Sequence, residues 1–302
     1  MLPNDDLIIT RGLSKHYGAV QALADLSITV RRGEVYGLLG PNGSGKTTAI
    51  RLLLGFLKPS AGSATIMGFD CTRDSVNVRR YVTFIPGELR LPGYMTGFGL
   101  LRFLSDLRGG MGFDRAVSLA DQVMKLDLGR KVRTYSTGMK QKLALAQAFA
   151  DPVDILILDE PTSALDPTAR STILELVEES RRVGQTVVFS GHVLSEVEQV
   201  ADRVAIMRRG RLMHIEDMHA RRSLRMLLVR FEGEVPEEYP DHLELTPRER
   251  NGSNAILFEH RGAPGPLLSW LSSQNVADLA VGTEDLRALY DQYHGPNAVD
   301  EK

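Results

Sequence analysis

Apolar positions along the chain fall into short runs separated by glycine- and proline-marked turns. Val35-Tyr36-Gly37-Leu38-Leu39 and Ile155-Leu156-Ile157-Leu158 are continuous, the pattern of strands buried on both faces. Leu26-Ser27-Ile28-Thr29-Val30 alternates with period two and stops at the turn signal Arg31-Arg32-Gly33. Leu7–Thr10, Ala64–Gly68 and Thr186–Ser190 complete the expected strands of this part, with Lys15-His16-Tyr17-Gly18 as a loop after the first, and Arg79–Pro86 leads into a Gly/Pro-rich loop. A helix is expected from Thr48 through Leu54, ended by Lys58-Pro59-Ser60-Ala61-Gly62. From about 98 to 126 the apolar spacing is helical: Leu100, Leu101, Leu104 and Leu107, then Val117, Leu119, Ala120, Val123 and Met124. A further helix runs from Ser136 through Ala150. An amphipathic one follows Asp166-Pro167, and Val204–Met207 with Arg211–His214 around Gly210 read as a hairpin.

Beyond about Met218 the pattern changes. Arg221-Arg222-Ser223 reads as a linker. Met226–Phe231 and Ala255–Phe258 read as strands, Asn251-Gly252 as a hairpin turn, and Pro266–Leu271 and Thr283–Tyr290 as helices. This is the make-up of a small α+β domain with Trp270 in its core.

Bulk properties narrow the picture. A chain of 302 residues suits one large domain and a smaller one. With 43% hydrophobic and 25% charged residues and a formal net charge of −2, it gives no electrostatic reason to expect a nucleic-acid partner. Cys71 is the only cysteine, which excludes disulfides within the chain and cysteine metal sites and fits a reducing compartment. The first residues lack the basic-then-apolar layout of a secretion signal. No apolar run reaches the ~20 residues that cross a bilayer, so work at a membrane requires a second chain to supply the spans.

Gly40-Pro41-Asn42-Gly43-Ser44-Gly45-Lys46-Thr47 joins an expected strand to an expected helix. G-x-x-x-x-G-K-[ST] in that setting is a phosphate-binding loop. Its glycines let backbone N–H groups turn around an anion, and the helix start adds partial positive charge. Lys46 is expected to reach the β- and γ-phosphates and Thr47 Oγ1 a magnesium ion. Asp159 and Glu160 follow a buried strand at its carboxyl end, where open α/β sheets bind ligands. Asp159 suits magnesium held through its hydration shell, and Glu160 suits polarising a water in line with the γ-phosphate. His192 stands at the end of the next strand, in reach of a γ-phosphate; a lone histidine is otherwise a satisfied surface or core group. Ser136 as N-cap with Gly138 nearby makes a second anion-ready helix start, although many helices begin so. Tyr17 either stacks on a base or packs on the sheet end, and locally the second reading is the simpler. Leu89, Leu91, Tyr94 and Met95 lie in the loop Gly87–Gly99, either tucked into the fold or forming a docking patch.

From about Leu7 to Asp217 the motifs, in this order, resemble the nucleotide-binding subunit of an ABC transporter, of the single-cassette kind that serves exporters of drugs, lipids or polysaccharides. The resemblance implies an α/β phosphate-loop ATPase fold over residues 1–217, with a helical subdomain at about 90–150 and an accessory α+β domain over 218–302. It implies ATP and Mg2+ as cofactors. ATP would be held by Gly40, Pro41, Asn42, Gly43, Ser44, Gly45, Lys46, Thr47 and Thr48, with Tyr17 against the adenine. Glu160, His192 and Lys46 would be catalytic, and Thr47, Asp159 and Glu88 would be on the metal side. Ser136, Thr137 and Gly138 stand where the family signature lies, to act on a second copy's site, and Asp166 in the loop beside it. Thr137 and Met139 depart from the usual Gly and Gln of that signature. Pro86-Gly87-Glu88 stands where a loop glutamine is usual, with Glu88 as its substitute. The implied partners are a second copy and an integral-membrane permease docking near Gly87–Gly99, with no nucleic acid. The implied place is the cytoplasm, at the inner face of the cell membrane. A soluble ABC-type regulator is the alternative, but the chain has one cassette and no Cys-x-x-Cys hook. A phosphate-loop kinase leaves Ser136–Gly138 and His192 without a role.

Overall fold

The computed structural model describes residues 5–250 and 252–283 together with Tyr290 and Tyr293. The chain divides into two compact units, Met1–Glu216 and Asp217–Lys302.

The first unit opens with β1 (Asp6–Tyr17), β2 (Val20–Leu26), β3 (Thr29–Arg31) and β4 (Val35–Leu39), then α1 (Lys46–Leu53). β5 (Ala61–Ile66), β6 (Phe69–Asp70), α2 (Ser75–Val78) and β7 (Val82–Ile85) follow. Next come α3 (Gly97–Asp106), α4 (Phe113–Ser118) with a π-turn over Leu119–Val123, and α5 (Thr137–Ala150). β8 (Ile155–Asp159), α6 (Pro167–Arg182), β9 (Thr186–Gly191), α7 (Leu194–Val200), β10 (Arg203–Arg208) and β11 (Arg211–Asp217) complete it.

The strands form one sheet in the order β6-β5-β1-β2-β11-β10-β4-β9-β8-β7, with β3 beside β1. β10, β4, β9, β8 and β7 run parallel, and β1 pairs antiparallel with β2, β3 and β5. All five residues of β4 and of β8 are buried, as continuous apolar runs require when both sheet faces are covered. Their carboxyl ends, Leu39 and Asp159, point into the same loop cluster, because β9 lies between them in register: Leu39 pairs with Gly191 and Asp159 with Ser190.

Helices α3, α4 and α5 pack together, and buried Asp151 fastens them to β7. It accepts from Thr83 Oγ1 and Gln147 Nε2 at 2.9 Å each and pairs with Arg108 at 3.4 Å. Arg108 also donates to the Val82 carbonyl at 3.1 Å. Cys71 is buried, and burial pushes its thiol up to about 12, so it carries no thiolate chemistry near neutrality.

Several boundaries differ from the sequence pattern. The expected strand through Leu26–Val30 breaks at Ser27-Ile28, because β2 and β3 pair at different places along β1. Tyr17 ends β1 rather than lying on a loop, and Ala61-Gly62 start β5 rather than merely ending a helix. Gly97–Gly99 belong to α3, whose N-cap Thr96 accepts from Gly99 N. Leu107 and Val123, placed on the apolar helical face by spacing, are exposed, because α3 stops at Asp106 and the π-turn rotates the face after Ser118.

In the second unit, α8 (Met218–Ser223), β12 (Arg225–Phe231), β13 (Leu245–Arg250), β14 (Ala255–His260), α9 (Pro264–Ser273) and β15 (Val276–Thr283) form a four-stranded sheet, order β13-β14-β12-β15, with a helix. Arg221–Ser223, expected as linker, lie in α8, which Asp217 caps through the N–H groups of His219 and Ala220. Neither β13 nor β15 was legible, since β13 carries Pro247 and mostly exposed polar side chains. Trp270 packs partly buried against the core of Leu227, Val229, Phe258 and Leu267. Of the expected helix Thr283–Tyr290, Thr283 ends β15 and 284–289 lie outside the described residues, as does Asn251 of the expected turn.

Candidate functional site

The loop between β4 and α1 is bolted in place from several sides. Gly40 N donates to the Gly191 carbonyl at 3.3 Å, and Ser44 N to Pro41 O at 3.1 Å. The turn Arg209-Gly210, between β10 and β11, donates from Gly210 N to Ser44 O at 3.0 Å. Gly45 precedes α1 at φ +104, and a Cβ there would sit 2.9 Å from the Ala22 carbonyl, so both conformation and space require glycine. Helix α1 therefore starts with no side-chain cap, leaving its first N–H groups directed at the loop's interior.

Lys46, the first residue of α1, is buried. Its Nζ donates to the Gly40 and Pro41 carbonyls at 2.7 and 3.3 Å and pairs with Glu160 Oε1 at 3.3 Å. Thr47 Oγ1 donates to Asp159 Oδ2 at 2.9 Å. Ser190, fully buried on β9, donates to Asp159 Oδ1 at 2.7 Å and accepts from Glu160 N at 3.0 Å. Glu160 itself sits at φ +48, an uncommon conformation for a non-glycine residue, with the Ser190 bond holding it. His192 Nδ1 lies 3.4 Å from Glu160 Oε2. Lys46, Thr47, Asp159, Glu160 and His192 thus form one cluster.

Two adjoining clefts share Asn42, Gly43, Thr47 and Glu160. One, of about 470 Å³, extends over Asp159, Glu88 and Phe84, and the other, of about 460 Å³, over Ser44–Thr48, Val20–Ala22 and Arg209. Glu88 thus faces the space beside Thr47 and Asp159. Tyr17 stands exposed at the end of β1 with Lys15 Nζ 5.2 Å from its ring centre, and the cleft wall on this side is Val20, Gln21 and Ala22.

Ser136 caps α5 by accepting from Met139 N at 3.2 Å, and Ser136 and Thr137 are exposed. A Cβ on Gly138 would lie 2.8 Å from the Ala164 carbonyl, so the start of α5 closes on the Ser163–Asp166 turn only because that residue is glycine. Asp166 caps α6, accepting from Ala169 N at 2.9 Å. That bond first, then Lys142 at 3.4 Å, holds its carboxyl below the usual carboxylate range. Residues 136–138 do not line the clefts around Lys46.

The family profile described as "ABC transporter" matches residues 23–163. An uncharacterized ABC transporter ATP-binding protein of Bacillus subtilis (strain 168) is 37% identical over 210 residues, 69% of this chain and 68% of that protein. The chain belongs to the ABC transporter ATP-binding proteins. The bacitracin transport ATP-binding protein of Enterococcus faecalis is 35% identical over 229 residues, 73% of each chain. The solved structure of an ATP-binding subunit of an ABC transporter superposes on this ABC ATPase with a TM-score of 0.66 at 30% identity, covering 72% of this chain and 92% of that one.

Ser190 and Arg209 belong to the site without lying in any of the motifs that the sequence displays. A polar residue after the apolar run Val187–Phe189 is the only signal Ser190 carries. Arg209 becomes visible once β10 and β11 bring their turn to the loop. The fold is the α/β ATPase cassette that the motifs implied, and the ATPase binds nucleotide.

Proposed function

We propose that this ATPase drives export through a separate membrane-spanning partner, working as a pair of copies that share two ATP sites. The observation that carries the reading is the cluster in which Lys46 and His192 both reach Glu160 beside Thr47 and Asp159. The bacitracin transport and daunorubicin/doxorubicin resistance relatives, the latter from Streptomyces peucetius at 36% identity over 68% of this chain and 64% of its own, favour an export role.

The loop fits a triphosphate. Ser44 Oγ is buried without a hydrogen-bond partner, a donor left unsatisfied inside the loop, and a Cβ on Gly43 would meet nothing within 4 Å, so the loop is open at that residue. On phosphate binding, Lys46 exchanges its loop carbonyls for phosphate oxygens, which frees those carbonyls to relax and leaves Glu160 facing the cleft. Glu160 then accepts a proton from the attacking water, and His192 holds Glu160 and the developing charge in line. Thr47 and Asp159, with Glu88 as a further carboxylate, are oxygen donors that would hold magnesium, which would supply neutralisation of phosphate charge.

Ser136, Thr137 and Gly138 would complete the site of a second copy, because Ser136 and Thr137 are exposed and stand apart from the clefts of their own chain. Tyr17 would meet the adenine, and Asp166 would lie beside the contact between copies. The permease would dock near Gly87–Gly99, where Tyr94 and Phe98 are exposed, placing the protein at the inner face of the cell membrane. No helix among the described residues is long and apolar enough to cross a membrane. Residues 1–217 would carry this work, and 218–302 an accessory role.

Complementation between variants tests the shared site. A Lys46→Met chain mixed with a Ser136→Phe chain regains hydrolysis, since the mixed pair holds one site with both residues intact. Mixing that restores nothing overturns the arrangement.

A further inference from the structure

Glu160 and His192 also border a small space of about 40 Å³, together with Thr162, Arg170 and Glu196. Glu196 is in the first turn of α7, four residues after His192, and its carboxylate is buried. Thr162 Oγ1 donates to Glu196 Oε2 at 2.5 Å, and Arg170 Nη1 reaches Glu196 Oε1 at 3.4 Å. Arg170 Nε also donates to the Leu165 carbonyl at 2.9 Å, one residue before Asp166. A single carboxylate therefore ties together three pieces: the turn after β8 that carries Glu160, the Ser163–Asp166 turn, and the segment that carries His192. Ser190 fixes Glu160 from the strand side, Gln141 Nε2 donates to the Pro161 carbonyl at 3.1 Å, and Glu196 holds the next residue, Thr162, from α7.

We propose that Glu196, with Thr162 and Arg170, is a positioning device that sets the Glu160–His192 separation and makes it respond to the Ser163–Asp166 turn. The idea rests on the reading of Glu160 and His192 given above. A buried carboxylate with both oxygens engaged is rigid, because either bond lost leaves a charged oxygen unpaired in a dry site. Movement of the 163–166 turn would pull on Leu165, pass through Arg170 to Glu196, and shift the start of α7 against Glu160. Hydrolysis needs that geometry held closely, whereas ATP binding at Gly40–Thr48 does not involve it. The clasp therefore acts on turnover and not on affinity.

The test is steady-state ATP hydrolysis by the full chain carrying Thr162→Val, Thr162→Ser, Arg170→Gln or Glu160→Gln. Thr162→Val keeps the side-chain shape without the hydroxyl, and Thr162→Ser keeps the hydroxyl without the methyl. The expected result is a kcat lowered roughly 10- to 100-fold by Thr162→Val and Arg170→Gln, a misplacement effect. KM for ATP stays within about threefold, as for a group acting only in the transition state, and Thr162→Ser stays near wild type. Removing His192 first by His192→Ala should abolish the further effect of Thr162→Val. Additive losses in that double variant would show that Thr162 acts elsewhere. Thr162→Ser damaging and Thr162→Val tolerated would mean packing alone and overturn the proposal. Wild-type turnover by Thr162→Val and Arg170→Gln, with Glu160→Gln inactive, also overturns it while sparing the assignment of Glu160. Normal turnover by Glu160→Gln sinks that assignment instead.

Discussion

Ser190→Ala is the sharpest probe of how the two strand ends are held. The hydroxyl is fully buried, donates to Asp159 Oδ1 at 2.7 Å and accepts from Glu160 N at 3.0 Å. Alanine fits the space but leaves a carboxylate oxygen and a backbone N–H without that partner. A bond to a charged group contributes about 1.5–3 kcal/mol and a neutral one about 0.5–1.5 kcal/mol, so the variant should lose about 2–4.5 kcal/mol. For a unit of this size, each kcal/mol shifts Tm by about 2–4 °C, which puts the expected drop at roughly 4–18 °C. Glu160 at φ +48 loses the bond that holds it, so turnover should fall by more than ATP affinity. Calorimetry and coupled-enzyme ATPase assays on the same preparations read both effects. Ser171→Ala is the control: its hydroxyl bonds the Pro167 carbonyl at 3.3 Å on the exposed face of α6 and should change stability by no more than about 0.5 kcal/mol. If Ser190→Ala melts and turns over like that control, the strand-end account is wrong.

Three further outcomes follow from the geometry. Gly138→Val should abolish turnover by forcing α5 away from the Ala164 carbonyl, 2.8 Å from the added Cβ, while single-chain ATP affinity measured by calorimetric titration stays unchanged. Lys46→Met should weaken ATP binding by about 10- to 100-fold, the loss of one or two charge-assisted bonds, read by displacement of a fluorescent nucleotide. The Asp166 carboxyl is held below its ordinary value of 3.8 by Ala169 N and then Lys142, so its stabilising effect is complete above that value and is lost as pH falls through the depressed one. Asp166→Asn should flatten that acid limb of the melting curve, and an unchanged limb would assign it to other carboxylates.

Sequence and structure agree where chemistry and burial coincide. The phosphate loop, the apolar strand before Asp159 and the cap at Ser136 were legible because each is a local signal: glycine spacing, an unbroken apolar run, a hydroxyl before a helix. Ser190, Arg209 and Glu196 were not, because their roles arise from strand register and from turns that meet only after folding. Leu39 beside Gly191 and Asp159 beside Ser190 is a property of the sheet order, which no single run contains. The break at Ser27-Ile28 went unseen for the same reason, since it is set by where β2 and β3 each pair along β1. Strand β13 escaped because an edge strand with exposed polar side chains lacks the apolar alternation that marks a strand.

The central claim is that Glu160 is the base of an ATP site completed by a second copy. Glu160→Gln keeps the shape of the side chain and removes its basicity, so ATP should still bind while hydrolysis stops. The variant should then accumulate as an ATP-bound dimer, seen as a doubled mass by light scattering with MgATP and as a monomer with ADP. Hydrolysis at the wild-type rate, or a monomer at saturating ATP, would contradict it.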